Sequence, residues 1–175
     1  MNENLVVKST RKKIKFWYLI FASAMLIWII LIVIAPVLFQ MGGAYSYFAT
    51  IIYKFFSVTC HQIDNRCFHV AGFKLAVCSR CFSIYLGIFF SLMLYPFIFT
   101  LNKIKIPDPL VFIVPAAFMA GDYFLDVFGI LKNTMLTRSI TGFLFGSGLA
   151  LFLLPTMLFF INEVHEYFKN KKVHI

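Results

Sequence analysis

Long uncharged runs alternate with short polar segments along this chain. Residues 1–15 are polar and basic, with Lys8, Arg11, Lys12, Lys13 and Lys15, and Phe16 to Phe39 then runs 24 residues without a charge. At about 1.5 Å per residue, a helix of that length crosses the roughly 30 Å hydrocarbon layer. The run is too long for a signal peptide, and Pro36-Val37-Leu38-Phe39 is no small-residue cleavage site, so an uncleaved first membrane helix is expected. Three further spans stand out: Cys81–Phe99, Pro109–Ile130 (apolar apart from Asp122 and Asp126) and Ile140–Ile161. Linkers at Thr100–Asp108 and Leu131–Ser139 separate them, and Lys169-Asn170-Lys171-Lys172 lies in a basic tail.

Gly42 to Thr59 is the ambiguous stretch. Its Tyr45, Tyr47, Phe48, Ile51, Ile52, Tyr53, Phe55 and Phe56 share one broad helical face, and the tyrosines suit a membrane–water interface. It reads either as an interfacial helix or as a fifth span, and Lys54 favours the interface. With four spans and a cytoplasmic N-terminus, ten of the 16 Lys and Arg are inside and six outside; five spans give ten and five, with Lys54 in a span. The positive-inside rule therefore does not separate the two topologies. Four spans place both basic termini in the cytoplasm, and that arrangement is preferred. The predicted fold is an all-α, polytopic transmembrane bundle. A single domain covers 16–161, a Cys/His-rich interfacial loop lies at 60–81, and basic tails occupy 1–15 and 162–175.

Composition agrees with the pattern. Apolar residues make up 61% of the chain and charged ones 13%, with mean hydropathy +0.87. Soluble domains average about 45–50% and 25%, so a soluble fold and a disordered chain are both excluded. The net charge of +9 is read as an orientation signal at membrane ends, not as a nucleic-acid footprint. The expected partner is the lipid bilayer, and no nucleic acid. The chain carries no P-loop, G-x-S-x-G, H-E-x-x-H or dinucleotide fingerprint, so no nucleotide cofactor is expected.

Candidate chemistry concentrates in one place. All four cysteines, Cys60, Cys67, Cys78 and Cys81, fall within 22 residues, with His61 and His69 among them. The Cys78-Ser79-Arg80-Cys81 knuckle lets two thiolates converge on one ion, which a distant Cys or His would complete as a tetrahedron. Thiolates favour zinc, copper(I) or iron–sulfur over hard cations. Arg66, Lys74 and Arg80 would help to keep them ionised. Three readings stay open: a metal site with zinc as the expected ion, a pair of redox disulfides, or buried or acylated cysteines without a joint role. His69 alone reads as solvated. His61 adjoins Cys60, and because neighbours rarely ligate one ion together, the two are expected to have separate jobs.

The pattern Cys60-His61-Gln62, Arg66-x-Phe68, Gly72, Val77-Cys78-x-Arg80-Cys81 and Ile84-Tyr85-x-Gly87 resembles an uncharacterised prokaryotic membrane-protein family, domain of unknown function 2085. The likeness continues through Asp126 and Arg138-x-x-Thr141-Gly142 and covers roughly Cys60 to Gly148. Members usually lack a cysteine at the position of Cys67. The resemblance therefore implies Cys60, His61, Cys78 and Cys81 as the core constellation, and it weakens a two-disulfide mechanism. It also implies a multi-pass protein of the prokaryotic cytoplasmic membrane. Phe82-Ser83 departs from the family's common Thr-Gly, and the family name supplies no activity.

Asp122 and Asp126 share one helix face. Acids inside a membrane cost several kcal/mol and generally face a bundle interior or water. Arg138 opens the next span, so an Asp126–Arg138 pair would lower the cost of both charges. Either this pair simply pins two helices, or Asp122, Asp126, Arg138 and Arg80 line a polar pocket for a proton, an ion or a lipid headgroup. Either topology brings these groups to the membrane face that carries the cysteines, so Cys81 and Asp126 are expected at similar depth. Gly142, Gly146 and Gly148 with Ser147 form a small-residue face for packing within the bundle, with dimerisation through Gly142 and Gly146 as the alternative. Glu163, His165 and Glu166 read as a solvated helix end, and the 23 phenylalanines as lipid-facing and core filler.

Three functions remain open on the sequence. The preferred one is a metal site of Cys60, His61, Cys67, Cys78 and Cys81 beside the Asp/Arg pocket, which binds or moves a small ligand, ion or lipid. The others are a thiol–disulfide oxidoreductase using Cys78 and Cys81, and a metal-assisted hydrolase. Whether there is catalysis is left open.

Overall fold

A computed structural model of the chain describes residues 3–98 and 108–173. Most of the linker Thr100–Asp108, and the side chains of Glu163, His165, Glu166 and Lys169–Lys172, lie outside the described residues. In chain order come α1 (Glu3–Met41), α2 (Gly43–Ser57), a 3-10 turn (Asp64–Arg66), β1 (His69–Val70), β2 (Phe73–Lys74), α3 (Ser79–Ile98), α4 (Leu110–Val127) and α5 (Met135–Val173).

Four helices are long and apolar enough to cross a membrane, over Lys15–Met41, Ser79–Phe97, Leu110–Val127 and Met135–Met157. The expected four-span helical bundle is therefore what forms. The ambiguous stretch becomes α2, and its 15 residues reach only about 22 Å, too short for a fifth span. Gly42 and Gly43 have φ of +71° and +55°, a left-handed turn that glycine makes without a Cβ clash. The turn folds α2 back along α1. Trp28 packs edge-on against Phe55 and Phe56 at 5.5 and 5.0 Å, and Phe39 meets Tyr53 at 6.2 Å.

α3 and α5 form the tightest seam. A Cβ on Gly142 would lie 2.6 Å from the Arg80 carbonyl oxygen, one on Gly146 2.1 Å from that of Ile84, and one on Gly87 2.3 Å from that of Phe143. The four-residue step from Arg80 to Ile84 on α3 meets the four-residue step from Gly142 to Gly146 on α5, so the two helices run parallel, with α4 as the return between them. The small-residue face is thus filled by α3 of the same chain and offers no room to a second copy at Gly142 or Gly146. α4 lies along α5, where Gly148 meets the Val111 carbonyl oxygen, and α4 has no buried residue.

α5 starts at Met135, earlier than the expected Ile140. The Thr137 amide donates to Thr134 Oγ1 at 3.2 Å and the Thr134 amide to Thr137 Oγ1 at 3.0 Å. This reciprocal cap satisfies free amide groups at the helix start and puts Arg138 inside the first turns. Two apolar clusters hold the bundle. One gathers Tyr18, Leu92, Tyr95 and Leu154, where the Tyr18 hydroxyl donates to the Leu92 carbonyl at 2.7 Å. The other gathers Ile32, Ala35, Phe56, Leu75, Ala76 and Val77 around Cys60.

Candidate metal centre and its charged neighbours

The loop between α2 and α3 is built by side chains that tie it to its own ends. Gln62 takes a positive φ of +49°, and its Nε2 donates to the carbonyls of Tyr53 at 2.7 Å and Ala76 at 2.8 Å. One amide thus joins α2 to the segment between β2 and the knuckle. The Tyr53 hydroxyl donates to the Lys74 carbonyl, and Lys74 Nζ donates to the Gln62 carbonyl at 2.8 Å. Burial pushes Tyr53 up to about 12, so the phenol keeps the proton it donates. β1 and β2 pair antiparallel, His69 opposite Lys74 and Val70 opposite Phe73. Ala71 and Gly72, at φ +55° and +83°, make the two-residue turn that matches strand twist. Leu75, Ala76 and Val77 are buried behind it.

This frame brings the sulfurs of Cys60, Cys78 and Cys81 within 4.8 Å of one another. Cys78 immediately precedes α3 and Cys81 lies in its first turn, so helix geometry aims both at the end of α2. The Cys78 amide donates to Cys60 Sγ at 3.2 Å. Hydrogen bonds from the Cys78 and Cys81 thiols, then from backbone amides of Cys78 and Gln62, hold the Cys60 thiol well below its ordinary range, against the effect of burial. All four cysteines are free thiols. Of the expected ligands, Cys67 is fully buried but outside the three-sulfur group. Burial first, then the charges of Cys78 and Cys60, push it up to about 11, so it stays protonated. His61 is exposed and also outside the group. His69 is exposed, with Nε2 3.4 Å from Asp64 Oδ1.

The acids lie beside this cluster. Arg80, in the same first turn of α3 as Cys81, pairs with the Asp122 carboxylate and sits 5.9 Å above the Tyr123 ring. Asp126 Oδ2 lies 3.7 Å from Arg138 and 3.8 Å from Arg66. Asn133 links the set: its amide N–H donates to Asp126 at 3.1 Å, its Nδ2 lies 3.4 Å from Asp122 Oδ2, and its Oδ1 accepts from Arg138 Nε at 2.6 Å. Arg138 is only 8% exposed. Among the described residues, Arg80 Nε and Ser79 Oγ are buried without a hydrogen-bond partner. The Asp126–Arg138 pair was readable from the sequence, whereas the Arg66–Asp126 and Arg80–Asp122 pairs were not. Gln62 and Asn133 were missed as well. Gln62 had a signal, its place directly after Cys60-His61; Asn133 had none, being one polar residue in a linker.

Residues 60–152 match the family described as predicted membrane protein, DUF2085. This chain belongs to the DUF2085 family. A relative in Methanocaldococcus jannaschii, Uncharacterized protein MJ1492, is 34% identical over 158 residues, covering 89% of this chain and 99% of that protein. No solved structure matches. The DUF2085 segment starts at Cys60 and ends within α5, so it holds the three sulfurs and the whole Asp/Arg network, and excludes α1 and α2.

Proposed function

We propose that this DUF2085 protein is a multi-pass protein of the prokaryotic cytoplasmic membrane in which zinc, bound by Cys60, Cys78 and Cys81, fixes the loop over the Asp/Arg network. That network, Arg80, Asp122, Asp126 and Arg138, binds or moves a small ligand, ion or lipid. The observation that carries the reading is the convergence of three free thiols next to that network.

The donor set fits the ion. Sulfur ligands suit zinc or copper(I), and charge balance favours the divalent choice. Three thiolates around a divalent ion carry one negative charge. Arg66, Arg80 and Arg138 against Asp122 and Asp126 carry one positive charge beside it. A monovalent ion would leave an extra negative charge in a half-buried place, which is costly. Three protein sulfurs leave one position for a further ligand. When bound, zinc would hold the loop and α3 together. The chain's own part is to position the thiols through Gln62 and to neutralise the acids through the three arginines.

Elemental analysis and thiol titration of the purified full-length chain test this. About one zinc per chain is expected, lost in the Cys78→Ser/Cys81→Ser double variant and kept in Cys67→Ser and His61→Ala, which lie outside the three-sulfur group. Metal-free protein whose thiols cycle with a quinone would replace this reading with the thiol oxidoreductase.

A further inference from the structure

A second site lies on the α1–α2 hairpin, on the outer side of the loop that holds the sulfurs. A cleft of about 310 Å³ is walled by Phe39, Thr50, Tyr53, Gln62, Phe73 and Lys74. Half of its walls are aromatic, with Phe39 and Phe73 rings 5.0 Å apart. Lys74 is its one charged wall residue. One N–H of that ammonium goes to the Gln62 carbonyl, and an ammonium has three donors, so two remain for a guest. Tyr53 holds the Lys74 backbone in place. The size falls within the range of small-molecule sites, and the chemistry is apolar walls with one cation.

Depth indicates what kind of guest reaches it. From Lys15 to Ala35, which packs at the level of the cysteine loop, α1 rises about 30 Å, the thickness of the hydrocarbon layer. Pro36 to Met41 adds about 9 Å and carries Phe39 into the headgroup layer. The same hairpin exposes Met41, Tyr45, Tyr47, Phe48 and Ile51, an interfacial composition.

We propose that this cleft binds the headgroup end of an anionic membrane lipid, with Lys74 as counter-charge and Phe39 and Phe73 against the apolar portion. The proposal does not depend on zinc. It is tested by native mass spectrometry and thermal shift of the full chain with phosphatidylglycerol, phosphatidylcholine or inorganic phosphate. Phosphatidylglycerol should bind and stabilise more than phosphatidylcholine. Lys74→Gln should weaken it about tenfold, the size of one charge-assisted contact. Lys74→Arg should retain the preference, which controls for misfolding. Equal binding of the two lipids, a Lys74→Gln variant that still prefers phosphatidylglycerol, a Lys74→Arg variant that loses the preference, or stabilisation by inorganic phosphate equal to that by lipid would each overturn the proposal.

Discussion

Two amides, Gln62 and Asn133, organise the two halves of the site. Each joins two elements of the chain, and each does so with atoms that carry no charge. Gln62→Ala removes two hydrogen bonds worth about 1 kcal/mol each. It should lower the melting temperature and weaken metal retention, because the end of α2 then loses its tie to Ala76 ahead of the knuckle; unchanged zinc affinity by chelator competition would contradict this. The Arg80–Asp122 pair is mostly buried, with side chains 18% and 13% exposed. Asp122→Ala strands Arg80 and should cost about 3–5 kcal/mol. The Arg80→Met/Asp122→Ala double variant should be more stable than Asp122→Ala alone, a comparison that thermal melts decide directly. Cys60, Cys78 and Cys81 could be read from the sequence as candidates because they are local. The family resemblance set Cys67 apart and adjacency gave His61 a separate job from Cys60, but the local fold that spaces them, the tight β1–β2 turn and the positive φ of Gln62, was not legible.

At the scale of elements, the uncharged runs were legible because only long apolar helices satisfy their backbone inside lipid. Helix ends were less so. The start of α5 depends on a Thr134–Thr137 cap that a hydrophobicity pattern does not register. α2 was legible as an apolar face but not as a hairpin arm, since its place depends on packing against Trp28. The α3–α5 seam gives a sharp contrast for testing. Gly146→Ala puts a methyl group 2.1 Å from a backbone oxygen of α3, whereas Gly121→Ala meets nothing within 4 Å. The first should severely lower the yield of folded protein in size-exclusion chromatography, and the second should behave as the parent chain. Equal behaviour of the two would show that the helices do not pack at this distance.

For the whole molecule, the ion pairs fix sidedness. Arg66 in the cysteine loop and Arg138 at the start of α5 meet on Asp126, so the loop and the α4–α5 turn share one membrane face. Cysteines introduced at Asp64 and Lys132 should therefore react with an impermeant thiol reagent from the same side, and one at Lys15 from the other. Labelling of Asp64→Cys and Lys132→Cys from opposite sides would break the topology. α4 is then in an unusual mechanical position. It buries no side chain completely, yet its C-terminal end is gripped by Arg80, Asn133, Arg138 and Arg66. Its other end is seated on α5, where Val111 meets Gly148 and Phe112 stacks on Phe152. Its gripped end cannot shift without pulling on the loop that holds the sulfurs. Displacing that end of α4 and loosening the cysteine loop are thus a single motion.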